Sequence, residues 1–265
     1  MAKTTWLITE CLRSAISALN EHAPLRRNVL GSVLFLTLLC IALAAFEIHR
    51  GGPAPRAYSP RLLAIVFLPA EFYIFDLCLG LAPRSGPAMY GDMRLLKLLW
   101  VGLLLCLIAA GVMAAIILPG AFILTLFKGL GTAAFIAIGL VAVIGITLAV
   151  LLAGFSVRFM FLPVSVALRE PNPIRTLYQA TKGKAWLLAK VLFWPYGALV
   201  AASVVMELIG PALERRLGFV ALALWFLIDA CLTALICCTS AVLLALVYRT
   251  FIDPPQPETG TAPMG

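Results

Sequence analysis

Six stretches of the chain run apolar for roughly the length of a membrane crossing, with short polar segments between them. A helix rising 1.5 Å per residue needs about 20 residues to span ~30 Å of hydrocarbon. That ruler marks residues 29–46, 62–81, 98–118, 131–157, 185–206 and 219–247. The fourth and sixth exceed it, which predicts tilt or ends that protrude from the bilayer. The predicted fold is an all-α, polytopic transmembrane helical bundle of about six spans, forming a single helical membrane domain over 1–252 with no visible internal repeat.

The segments outside the spans are patterned too. Trp6, Leu7, Leu12, Ile16 and Leu19 recur at near-helical spacing with Lys3, Glu10 and Arg13 between them. This predicts an N-terminal amphipathic helix, lying in the headgroup plane or packed on the protein surface. Residues 119–130 are too short to cross and return; Pro119 and Gly120 end a helix, and the rest of the segment is interfacial or re-entrant. The tail 253–265, with four prolines and no apolar period, is expected to be disordered. No continuous apolar run precedes a small-residue cleavage site near the N-terminus, so no cleaved signal peptide is expected.

Composition agrees with the pattern. The chain has 265 residues, 63% hydrophobic and 12% charged, with a mean hydropathy of +1.05, whereas soluble domains carry about 25% charged residues. The net charge of +8 comes without a basic block or basic-aromatic module, so nucleic acid is not an expected partner. Fourteen of the twenty Lys and Arg fall on one side of the alternating spans, against Arg50, Arg56, Arg61, Lys128, Arg215 and Arg216 on the other. Positive charge is retained inside, so both termini are expected in the cytoplasm and the protein in a cytoplasmic (inner) membrane. Six of the seven cysteines fall in apolar runs without CxxC or Cys/His spacing, which argues against a disulfide scaffold or a zinc site.

The longest polar connection, RFMFLPVSVALREPNPIRTLYQATKGKAW, carries a short helix of about ten residues. Asn172 suits the N-cap, Pro173 the first helical position, and Gly183 the left-handed residue past the end. Ile174, Leu177, Tyr178 and Thr181 line one side. Arg169, Arg175, Lys182 and Lys184 border the cytoplasmic interface, with Trp186 and Trp194 as aromatic anchors; each basic residue there gains about 1 kcal/mol from anionic lipid. Arg158, Pro163, Ala167, Ala180, Thr181, Gly183 and Trp186 together form a pattern that resembles bacterial six-helix inner-membrane proteins of the YciC-like type. The membrane domain attached to some glycerophosphodiester phosphodiesterases is similar. The resemblance implies a bacterial helical inner-membrane protein with this loop as its signature. No phosphodiesterase chemistry is carried over, because the resemblance covers only the order of spans and this one loop.

Candidate chemistry is sparse. His22 and His49 have no second ligand or nucleophile near them in sequence, and ATKGKA lacks both the leading glycine and the hydroxyl of a phosphate loop. No catalytic residue, metal or cofactor is therefore assigned. Three acids lie inside spans, Glu71, Asp76 and Asp229, and each must face the bundle, be paired or be protonated. Counting from Arg61, Glu71 lies about 15 Å along its helix and Asp76 about 22 Å. Arg158, at a comparable depth, is the expected ion-pair partner of Asp76. Five residues apart, the two acids point about 140° away from each other and form no carboxylate pair. Pro69 is expected to kink the helix beside them. Asp229, Thr233, Thr239 and Ser240 read as a polar stripe for packing or for protons, while Cys237 and Cys238 read as small packing residues.

Two functions are expected. One is a non-enzymatic accessory, scaffold or lipid-organising component whose cytoplasmic loop meets anionic phospholipids, another membrane protein or a second copy. The other is a small proton-coupled transporter or permeability factor using the intramembrane acids. A lipid-modifying enzyme ranks below both, since no nucleophile and base pair can be named.

Overall fold

The structure, a computed structural model, describes residues 2–50, 60–105, 107, 110–111, 143, 147, 154–155, 157–214 and 219–252. The expected span at 131–157, the second half of that at 98–118, the segment 119–130 and the tail lie largely or wholly outside the described residues. Among those described, every regular element is helical and no strand occurs. Three helices are long and apolar enough to cross a membrane, Ala23–Phe46, Ala185–Ala202 and Leu222–Ile252. They coincide with the expected first, fifth and sixth spans.

The chain divides into two compact units, Met1–Asp92 with Leu187–Gly265, and Met93–Trp186. In the first, α1 (Ala2–Glu21), α2 (Ala23–His49), α3 (Leu68–Leu79) and the 3₁₀ segment Pro60–Phe67 all pack on the last long helix. That helix (Phe219–Val247) is apolar around most of its circumference, as suits one packed against several others. Cys40 and Ala44 of α2 close against Leu222 and Phe226, with Ile41 and Trp225 beside them. Small residues on α2 let the larger side chains of its neighbour approach.

One expectation about this unit needs correction, that Pro69 kinks a helix, whereas α1 forms as the spacing predicts. The inward positions of α1 are Cys11 and Ala15, both buried, whereas Ile16 is 44% exposed. Small residues won the inner face because close helix approach favours them over a large apolar group that can point outward. Pro69 does not kink a helix from within. It occupies the first turn of α3, where a missing N–H is harmless, and the irregular backbone lies earlier, at Leu63 in the 3₁₀ segment. A 3₁₀ turn rises about 2.0 Å per residue, so Glu71 lies about 18 Å along the path from Arg61 rather than about 15 Å. α3 ends on Gly80 at φ +73, where the amides of Gly80 and Leu81 donate to the carbonyls of Leu77 and Asp76 at 3.2 and 2.7 Å. This paired closure requires a left-handed residue, hence glycine.

The second unit carries the long polar connection. α4 (Leu162–Ala167) and α5 (Pro173–Ala180) each begin on a proline in the first turn. α5 is eight residues long rather than about ten. Asn172 does occupy its cap position, but the side chain makes no capping hydrogen bond; only its carbonyl is used, accepting from the Thr176 amide at 3.0 Å. Gly183, at φ +76, takes the left-handed position in the turn after α5. The fifth expected span is α6, which runs Ala185–Glu214, and the last long helix, Phe219–Val247, is α7.

Candidate functional site

In the first unit the polar residues of α7 fall into register. Asp229, Thr233, Cys237 and Ser240 are spaced four, four and three residues apart, which keeps them within about 80° of one another over some 16 Å of helix. Thr233 Oγ1 donates to the Asp229 carbonyl at 2.7 Å, satisfying the hydroxyl within the helix. Two other helices supply partners. From α3, the Glu71 carboxyl forms a side-chain hydrogen bond with the Cys237 thiol, and Cys238 lies within electrostatic reach of the same carboxyl. From α6, Tyr196 Oη and Ser240 Oγ lie 2.6 Å apart, either able to donate, and Tyr196 interacts electrostatically with both Glu71 and Cys237. Near the other end of the stripe, Cys40 of α2 is within electrostatic reach of Asp229.

The three acids thus have different surroundings. Asp76 and Asp229 are buried, at 1% and 4% exposure, while Glu71 is partly buried among the thiol and hydroxyl groups just named. Thr239, expected in the stripe, lies about 80° beyond Asp229 on the side away from Cys237. Its buried Oγ1 has no hydrogen-bond partner among the described residues. Cys237, expected to be packing alone, also has a side-chain hydrogen bond with Glu71. Among the described residues no three His, Cys, Asp or Glu side chains gather as a metal site would require.

The second unit holds its loop with basic residues. Arg94, 8% exposed, donates to the Ala167 carbonyl at 3.2 Å. Lys97 donates to the carbonyls of Glu170 and Pro171 at 2.7 and 3.3 Å. These carbonyls lie at or just beyond the C-terminal end of α4, where cationic donors satisfy groups the helix leaves open. The Arg158 guanidinium lies 4.8 Å from the centre of the Tyr178 ring, a cation–π contact. Thr181 is fully buried and its Oγ1 donates to the Leu177 carbonyl at 2.8 Å. Arg169 sits at φ +60, in the position a glycine would ordinarily fill at the end of α4. Arg169, Arg175 and Lys182 are exposed, Lys184 is partly buried, and Trp186 is 69% exposed.

The pair expected between Asp76 and Arg158 would bridge the two units, and it stays an expectation. Sequence reasoning missed Tyr196, Cys237, Arg94 and Lys97 as members of these sites. One signal for Tyr196 was present: Pro195, inside a long apolar helix, withholds an amide from the Val191 carbonyl and marks an irregular place beside it. Arg94 and Lys97 carried no such mark, because a basic pair before a span reads as a topology signal. Comparison with protein-family models, with curated proteins and with solved structures gives no match.

Proposed function

We propose that this is a non-enzymatic, six-span protein of the bacterial inner membrane, acting as an accessory, scaffold or lipid-organising component. Its working surface is the loop from Arg158 to Trp186, facing the cytoplasm. One observation carries the reading: Arg94 and Lys97 brace the loop backbone, so Arg169, Arg175 and Lys182 are left exposed beside a protruding Trp186. A rigid platform of cations flanked by an interfacial indole fits the headgroups of anionic phospholipid. The resemblance of Arg158, Pro163, Thr181, Gly183 and Trp186 to the YciC-like pattern supports the same reading.

Lipid retention tests it. Protein extracted from a mixed bilayer should keep anionic over neutral phospholipid, and each neutralised base should reduce that preference about fivefold, from ~1 kcal/mol per residue. Arg169→Gly is the most informative substitution. It removes the charge while replacing an L-residue in a left-handed conformation that costs about 1 kcal/mol, so lipid preference should fall while thermal stability holds or rises. Equal retention of neutral and anionic lipid by the unsubstituted protein overturns the reading.

A second reading, a small proton-coupled transporter or permeability factor, is favoured by the contact of Glu71 with Cys237 and by the hydroxyl pair beside it. Proton flux into proteoliposomes that disappears in Glu71→Gln is the expected outcome under that reading.

A further inference from the structure

Four proton-exchanging side chains from three helices of the first unit meet part-way along α7: Glu71 from α3, Tyr196 from α6, and Cys237 and Ser240 from α7. They form two hydrogen-bonded pairs set side by side, Glu71 with Cys237 and Tyr196 with Ser240 at 2.6 Å. Tyr196 is also within electrostatic reach of Glu71 and of Cys237, and Ser240 lies three residues after Cys237 on α7. We infer that this cluster is a proton-binding site in which Glu71 takes up and releases the proton, Cys237 holds the carboxyl in both charge states, and the Tyr196–Ser240 hydroxyl pair supplies the polar surroundings. The inference rests on the second functional reading and names its site; it does not depend on the lipid-binding loop.

The chemistry is a single protonation. A proton from water forms an O–H bond on a carboxylate oxygen of Glu71, and the reverse step returns it to water; no electron pair moves elsewhere and no oxidant or reductant is needed. When Glu71 is charged, the Cys237 S–H donates to it. When Glu71 is neutral, its own O–H donates and the sulfur accepts. The Tyr196 and Ser240 hydroxyls can each donate or accept, so the pair reverses its direction without moving heavy atoms. A fixed donor such as Arg or Lys would hold the carboxylate charged, whereas thiol and hydroxyl partners serve either state. The titratable groups that face Glu71 are Cys237 and Cys238 from α7 and Tyr196 from α6, while Cys40 from α2 faces Asp229. Hard cations select all-oxygen sites and transition metals select clustered Cys, His and carboxylate ligands. One carboxyl against a thiol and two hydroxyls matches neither set and suits a proton.

The test uses the full chain in lipid nanodiscs. A hydrophobic carbodiimide, which reacts with protonated carboxyls in apolar surroundings, is applied across a pH series, and adducts are located by peptide mass spectrometry. Glu71 should be modified at low pH, with the adduct falling along a one-site curve as pH rises and absent from Glu71→Gln. Cys237→Ala removes the donor to the charged carboxylate, so the midpoint should move about one pH unit upward, a tenfold change in proton affinity. Cys237→Ser, which restores a donor, should bring it back, and Tyr196→Phe, which keeps the ring, should move it as well. Each variant is compared at matched elution volume and thermal stability. The inference is overturned if Glu71 is unmodified throughout, if its modification ignores pH, or if the midpoint is the same in Cys237→Ala and Tyr196→Phe as in the unsubstituted chain. Proton flux separates the site from the transport reading: pH-dependent Glu71 modification without flux upholds the site and removes the transporter, and flux that is lost in Glu71→Gln upholds both.

Discussion

Among single residues, position on a face mattered more than chemical type. Cys11 shows this outside the spans. It sits on the inner face of α1 at 1% exposure, and burial, followed by Cys78 and then Glu10, pushes its thiol up to about 11 from an ordinary 9.0. The folded state therefore favours the neutral thiol. Its contribution to stability is present below pH 9, where both states hold the proton, and is lost as pH rises from 9 towards 11, because the unfolded chain ionises first. Thermal unfolding in detergent should show that decline, reduced in Cys11→Ala, and maleimide should label Cys11 at pH 8 only after unfolding. Labelling of Cys11 in the folded protein at its unfolded rate would contradict this placement. A sequence marks Cys11 as a cysteine in an amphipathic helix, but the choice between Cys11 and Ile16 for the inner face depends on how closely that helix approaches its neighbour.

Among elements, the start of α5 was legible, while those of α3 and α4 emerged only with the fold. Proline in the first turn recurs in α3, α4 and α5, and glycine at a left-handed position ends α3 and comes just after α5; both arise from covalent geometry and need no tertiary contact. The closure of α3 gives a test. Gly80→Ala places a Cβ at φ +73, where open space rules out a clash and leaves only backbone strain, and should destabilise the protein by about 1 kcal/mol. Gly31→Ala, in the regular interior of α2 and also in open space, should be neutral or stabilising, since alanine is the better helix former. Equal melting shifts for the two would refute the left-handed assignment at Gly80. The 3₁₀ stretch before α3 was not legible, because after Pro60 and Arg61 the residues LLAIVF are as apolar as any helix interior and neither Leu63 nor its immediate neighbours is a proline or glycine.

For the whole molecule, apolar faces turned outward define the environment. Leu30, Leu34, Phe35 and Leu38 on α2, and Phe193, Trp194 and Val200 on α6, are each more than half exposed. Such surface is rare on a protein in water and ordinary in contact with lipid. The arrangement of charge supports a cytoplasmic loop in the second unit, which predicts sidedness. A membrane-impermeant thiol reagent should modify Arg175→Cys, made in a background where exposed cysteines such as Cys231 are replaced, in inverted vesicles and not in intact spheroplasts. Modification in spheroplasts would reverse the proposed topology.

The sequence by itself determined that this chain is helical and suited to a membrane, where α5 begins, and that an acid in α3 and a polar stripe in α7 needed partners. These conclusions rest on transfer energy, helix pitch and the geometry of proline and glycine, all of which act locally. Only the tertiary structure decided which side chains meet. Glu71 faces Cys237 and Tyr196 faces Ser240 because α3 packs on α7 and the side chain of α6 reaches the same face. Partner choice between apolar helices depends on side-chain shape and rotation about each axis, which hydropathy and spacing do not encode.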